Sequence, residues 1–120
     1  VKDYRFRFQD LQIWQKAADL GVAIDELSEI LDDRRKYRFA EQLRAAALSI
    51  SNNIAEGSGS NSTADFRKFL YIARKSAFES ASMLLLLNRR QYFNEKQVEP
   101  HIAELDSLCR MIVSFAEKLD

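Results

Sequence analysis

The feature that most limits how this chain can fold is a spacing. In four separate stretches, apolar side chains return at alternating steps of four and three. An α-helix turns by about 100° per residue, so that alternation keeps the apolar set on one face. Ile13, Ala17, Leu20, Ile24, Leu27 and Leu31 make the first face, widened at its start by Leu11, Trp14 and Ala18. Phe39, Leu43, Ala46 or Ala47, Ile50 and Ile54 make the second. Phe66, Phe69, Ala73, Ser76, Ser80, Met83 and Leu87 lie along one side of the third. Val98, Ile102, Leu105, Cys109, Ile112, Ala116 and Leu119 carry the pattern to the end. The spacing predicts helices over about 10–31, 38–56, 63–90 and 95–119.

The segment ends carry start and stop chemistry. Asp10 is the expected N-cap of the first helix, because its carboxylate can accept from orphan amides of the first turn, with Phe8 as a staple. The charged run Asp32-Asp33-Arg34-Arg35-Lys36 ends that helix. Gly57-Ser58-Gly59-Ser60-Asn61 ends the second, where glycine would supply a left-handed closing residue. Ser62 or Asn61 caps the third. Asn94 with Gln97 has the form of a capping box. Pro100 has no amide hydrogen, so the fourth helix either kinks there or begins near it.

Four amphipathic segments with short connections predict an all-α fold, an antiparallel up-down-up-down four-helix bundle over 1–120 as one domain. Composition agrees. The 120 residues include only three glycines and one proline, fewer than a turn-rich sheet protein needs. Ala45-Ala46-Ala47 would let a neighbouring helix come close. Lys plus Arg equals Asp plus Glu, which argues against nucleic-acid binding driven by bulk charge but leaves room for a local patch. The single cysteine, Cys109, has no partner for an internal disulfide. The opening Val1–Phe8 alternates charge and aromatic without an apolar core, and no apolar run approaches the roughly 20 residues of a membrane span. The expectation is a soluble, cytoplasmic protein without a membrane role.

Two features exceed what a lone bundle needs. Met83-Leu84-Leu85-Leu86-Leu87 is apolar on all sides, although a monomeric bundle buries one stripe per helix. Leu84, Leu85 and Leu86 are therefore candidates for a subunit interface, against the plainer reading of one or two exposed leucines. Polar residues also line up beside the apolar faces: Gln42, Ser49, Asn53 and Glu56 on the second helix, Ser76 and Glu79 on the third. They form either a structural polar network that fixes helix register or a ligand pocket; the structural reading is favoured, because buried polar groups must be bonded to be tolerated.

Catalytic and metal readings find little. A di-iron bundle site needs Glu-x-x-His pairs on two helices, and the one histidine, His101, has no Glu three residues before it. Cys109 and His101 are eight residues apart on one helix, about 12 Å along its axis, too far for a nucleophile pair. Gly57-Ser58-Gly59-Ser60 lacks the lysine and preceding strand of a phosphate loop. The expectation is a non-catalytic protein with no cofactor, no metal and no small-molecule substrate. Basic residues cluster at Arg34-Arg35-Lys36 with Arg38, at Arg67-Lys68, at Arg74-Lys75 and at Arg89-Arg90. These are solvated faces or phosphate contacts.

Several strings are familiar. Phe8-Gln9-Asp10-Leu11-Gln12-Ile13-Trp14-Gln15-Lys16-Ala17, Gln42-Leu43-Arg44-Ala45-Ala46 and Ser49-Ile50-Ser51-Asn52-Asn53-Ile54-Ala55-Glu56-Gly57 resemble the bacterial four-helix-bundle family of proteins encoded in intervening sequences of large-subunit ribosomal RNA genes. Phe66-Arg67-Lys68-Phe69-Leu70-Tyr71-Ile72-Ala73 and Ser76-Ala77-Phe78-Glu79 extend the resemblance, which runs from about Phe8 to Leu119. It implies a bundle assembled into a homo-oligomeric ring, typically a pentamer. It also implies kinship with the accessory protein of diversity-generating retroelements, which works with a reverse transcriptase and nucleic acid through a basic surface. Relatives often carry Arg or Lys soon after the Glu-Gly pair. Here the loop reads Ser58-Gly59-Ser60-Asn61-Ser62, which removes that charge. The expected function is a homo-oligomeric assembly module that binds structured RNA through basic patches, with a protein-only adaptor as the alternative.

Overall fold

Aromatic packing, not a capping side chain, guides the chain into its first helix. The structure, a computed structural model, describes residues 5–120, so the first half of the Val1–Phe8 opening lies outside the described residues. A 3-10 turn over Arg7–Asp10 brings the Phe8 ring against Phe6 at 5.6 Å and against Trp14 at 4.9 Å. Helix α1 then runs from Gln12 to Asp33. Asp10 is not its N-cap. An N-cap needs extended backbone, and here Leu11 has it (φ −84°, ψ 124°), while Asp10 is spent in the preceding turn.

The other helices are α2 (Tyr37–Ser58), α3 (Thr63–Arg89) and α4 (Glu95–Glu117). Ser62 Oγ accepts from the Asp65 amide at 3.1 Å and so caps α3. The Asn94 side chain accepts from the Gln97 amide at 2.9 Å, and Gln97 accepts from the Asn94 amide at 2.8 Å, closing the capping box of α4. Helix α4 starts at Glu95 and continues through Pro100, on an exposed position.

Left-handed closure occurs where no glycine stands. Arg35 (φ 60°) and Gln91 (φ 61°) close α1 and α3. The amide of the next residue reaches back each time, Lys36 to the Leu31 carbonyl at 2.7 Å and Tyr92 to the Leu87 carbonyl at 3.0 Å. Helix α2 ends differently from the sequence expectation: Gly59 has φ −87°, and Gly57 is buried inside the helix where α3 crosses it.

Helices adjacent in sequence pack on each other, and α4 also packs on α1, more loosely. Among the described residues, α1 and α3 have no Cα atoms within 8 Å of each other, and neither do α2 and α4. The four helices thus surround one core, in which Ile24, Leu43, Ile50, Leu70, Leu87 and Leu108 are fully buried. Each such side chain contributes about 1.5–3 kcal/mol relative to exposure. The buried stripe of α3 is Phe66, Leu70, Ala73, Ser76, Ala77, Ser80, Leu84 and Leu87, wider than the expected one and departing from it at two members: Phe69 and Met83 are only half-buried. Arg44 on α2 ties back to α1, with Nε donating to Asp25 at 2.8 Å and Nη2 to Asp32 at 2.5 Å. Both carboxylates hold its guanidinium in the charged form, the Asp32 hydrogen bond most strongly. Lys16 and Glu104 pair across α1 and α4.

Candidate functional site

The polar residues along α2 and α3 separate into two groups. Ser49 Oγ and Ser76 Oγ lie 2.9 Å apart across the two helices. Asn53 Nδ2 donates to the Ser49 carbonyl at 2.8 Å and to its hydroxyl at 2.9 Å. Ser80 Oγ donates to the Ser76 carbonyl at 2.8 Å. These bonds close on one another and pin the register of α2 against α3. Gln42, Glu56 and Glu79 take no part. All three are exposed and make no side-chain hydrogen bond among the described residues, so the expected six-residue network is corrected to Ser49, Asn53 and Ser76. The physical reason is helix rotation: the turn of α3 that buries Ser76 and Ser80 carries Glu79 outward.

The leucine run divides likewise. Leu84 is fully buried in the chain's own core and is not available to a partner, which corrects its assignment to an interface. Leu85 and Leu86 are 51% and 49% exposed, and Phe78 is 56% exposed. These three open onto a groove of about 1070 Å³ between the outer faces of α3 and α4, floored from α4 by Ile102, Cys109 and Val113. Its rim carries Arg74, Arg89, Arg110 and Lys118 with only Asp106 and Glu117 in opposition. Arg110 pairs with Asp106 at 2.7 Å. Arg74 lies over the Phe78 ring at 4.6 Å, and its Nε is buried without a hydrogen-bond partner.

His101 and Cys109 face different clefts, His101 the one between α1 and α4 and Cys109 the groove between α3 and α4. Burial pushes the Cys109 thiol up, partly offset by Arg74, so the thiol behaves as a small apolar group. Burial holds His101 below its ordinary value. Among the described residues, no three His, Cys, Asp or Glu side chains converge as metal ligands would. No helix there is long and apolar enough to cross a membrane.

The basic residues fall at four places. Arg67 is structural: its Nε donates to the Ala116 carbonyl at 3.1 Å and its Nη2 to the Leu119 carbonyl at 2.7 Å, capping the end of α4. It is thereby corrected as a phosphate contact. Lys68 and Lys75 are exposed on α3, and Arg74 belongs to the groove. Arg34, Arg35, Lys36 and Arg38 stand at the α1–α2 connection, and the fold brings Arg90 to them, while Arg89 lines the groove. The Arg34 guanidinium lies 4.7 Å from the Tyr92 ring centre, Arg90 5.0 Å and the Lys36 ammonium 5.3 Å. Arg34 Nη1 also reaches the Gln91 carbonyl at 3.4 Å, and Arg90 Nη2 donates to the Tyr92 hydroxyl at 2.8 Å. No residue pattern joined 34–38 to 89–92 beforehand. The signal that could have done so is topological: the up-down order expected from the sequence would put its first and third connections at one end.

Residues 9–114 match the sequence model of the 23S rRNA-intervening sequence protein family. The chain belongs to this family. Among solved structures, it is similar to a protein of unknown function from the S23 ribosomal protein family of Bacteroides thetaiotaomicron, at 28% identity and a TM-score of 0.83, over 88% of this chain and 99% of that one. No curated protein matches the chain. The family match covers the α2–α3 polar contact, the cationic end and the groove up to Ser114, short of Glu117 and Lys118.

Proposed function

We propose that this family member is an antiparallel up-down-up-down bundle that works in the cytoplasm as a non-catalytic, homo-oligomeric assembly module. The single observation that carries the reading is the apolar groove between α3 and α4, where Phe78, Leu85 and Leu86 stand half-exposed. Water-facing apolar surface gathered in one concavity marks a surface that is covered in the working state. The antiparallel order is supported by connections of a few residues joining helices that pack side by side.

The occupant we assign is a second copy. Asp19, Val22, Glu26 and Glu29 recur at three-four-three spacing on an outward face of α1, and Val22 is 58% exposed. That acidic face with an apolar centre complements the basic rim of the groove. Two grooves face to face would instead oppose rims of like charge. A head-to-tail contact of this kind closes into a ring when its rotation permits, and the pentamer implied by the family resemblance is such a ring. The non-catalytic part rests on the polar contact: Ser49, Asn53 and Ser76 bond to each other, and Glu56 and Glu79 lie apart on the outside.

Native mass spectrometry and light scattering test this at micromolar concentration. Wild type is expected as a single oligomer. Leu85→Glu with Leu86→Glu is expected as a monomer of unchanged helix content. A monomeric wild type would sink the reading.

A second reading adds a nucleic-acid partner, in place of a protein-only adaptor. The observation favouring it is the convergence of two basic clusters on Tyr92.

A further inference from the structure

We infer that the end of the bundle built from the α1–α2 and α3–α4 connections is a binding site for the phosphodiester backbone of a nucleic acid, read by charge and not by base. The inference rests on the nucleic-acid reading above and gives it a place and a chemistry.

The first support is concentration of charge. Residues 32–38 hold Arg34, Arg35, Lys36 and Arg38 against Asp32 and Asp33, and residues 89–96 hold Arg89, Arg90 and Lys96 against Glu95. Seven cations thus meet three carboxylates, an excess of four on a chain whose formal net charge is zero. The excess is larger in effect, because Asp32 is bound by Arg44.

The second support is that these cations stay unpaired. Elsewhere Lys16, Arg44 and Arg110 each take a carboxylate. Among the described residues, none of the cations at 34–38 or 89–90 forms an ion pair. Asp33 and Glu95, nearest in sequence, pair with none of them. Helix C-termini favour nearby cations, and α1 and α3 both end here. Arg34 and Arg90, held at the last turns, satisfy that preference. Arg35 and Arg38 remain, exposed, their side chains making no hydrogen bond or ion pair among the described residues.

The third support is preorganisation. Tyr92 is buried and packs on Phe39 at 6.0 Å, so it is a fixed platform. Its ring holds three positive groups within about 10 Å of one another, as their distances to one ring centre require. Anions bridging such a set gain from every charge without having to order the side chains first. A run of phosphates offers that repetition. The ring itself is covered by cations, which leaves no aromatic face for a base to stack on, and so the site follows the backbone.

The test is filter binding of an RNA stem-loop and of a DNA duplex of the same sequence, over a series of salt concentrations. The expected result for wild type is an affinity whose logarithm falls linearly with log salt. Arg35→Glu and Arg38→Glu together are expected to lower affinity at least about tenfold and to flatten the slope by about two. The double Arg→Lys variant retains binding, because a backbone contact needs point charge and not a guanidinium fork. Double Arg→Gln serves if charge reversal disturbs helix content by circular dichroism. Lys68→Glu with Lys75→Glu is the control and leaves binding unchanged. Binding by wild type that survives in the reversed and neutral variants alike, or that is lost in the α3 control instead, would overturn the site while leaving the nucleic-acid reading standing. No binding of either probe at low salt would overturn both. Affinity that changes with base sequence at constant length would overturn the backbone mode.

Discussion

Gly57 and Phe69 meet where α2 crosses α3: a Cβ at position 57 would lie 2.6 Å from the Phe69 Cβ and 2.9 Å from Phe66 Cδ1. Glycine is here for closeness, not for an unusual backbone. Gly57→Ala would gain helix propensity of about 1 kcal/mol, yet it forces the two helices apart. The net expectation is a loss of about 1–3 kcal/mol, the range for overpacking a filled site. Urea titration reads it; an unchanged or raised midpoint would show that α3 yields without cost.

Leu84 and Leu85, adjacent in sequence, should fail in different assays. Leu84→Ala empties a fully buried site and is expected to cost about 2–5 kcal/mol in denaturant unfolding. Leu85→Ala, at a half-exposed position, is expected to change the stability of the isolated chain by about 0.5 kcal/mol or less and to weaken assembly. Equal losses of stability at the two positions would contradict the groove's standing as open surface.

Gln91 closes α3 in the left-handed region at φ 61°. For a residue with a Cβ that conformation costs about 1–2 kcal/mol. Gln91→Gly removes the cost at some expense in unfolded-chain entropy, and a net gain of about 0.5–1 kcal/mol is expected by thermal or urea unfolding. A loss would mean that the Gln91 side chain contributes contacts of its own.

His101 sets a pH dependence whose sign follows from its burial. Burial lowers its native pKa, so the unfolded chain binds the proton at higher pH than the folded one. Its contribution is therefore in place above about pH 6.5, the ordinary histidine value, and is lost as pH falls through the lower native value. The neighbours in its cleft include Lys16 and Glu104, which pair with each other. Wild type should lose stability on acidification across this window relative to His101→Gln. Parallel curves for the two proteins would contradict it.

How much of this was legible in the sequence differs from helix to helix. On α1 the four-three stripe is the buried face almost residue for residue, with Leu27 half-buried beside it, because that helix turns one well-marked apolar side inward. On α3 the stripe was drawn through Phe69, Ser76 and Met83; Ser76 is buried, but Phe69 and Met83 are half-buried, and Leu70, Ala77 and Leu84 join the core. Helix α3 packs against both α2 and α4, so its buried arc is wide and its apolar residues permit more than one rotation. That ambiguity misplaced Leu84 and drew Glu79 toward a network it does not join. Helix caps made by local polar pairs, Ser62 with Asp65 and Asn94 with Gln97, could be read directly. The closures at Arg35 and Gln91 could not, because neither residue type announces a positive φ. The meeting of Arg34 and Lys36 with Arg90 on Tyr92 depends on which ends of the helices lie together, which no local window contains.

The cationic end also shows why a total charge of zero describes this molecule poorly. Helix α3, with 27 residues, is about 40 Å long, whereas ionic screening in physiological salt acts over about 8 Å. An approaching polyanion therefore meets the cations around Tyr92 before it can sense a carboxylate as far along the flank of α1 as Asp19. To a partner at close range the protein is basic or acidic according to the side approached. Its mobility in an electric field reports only the cancelled sum.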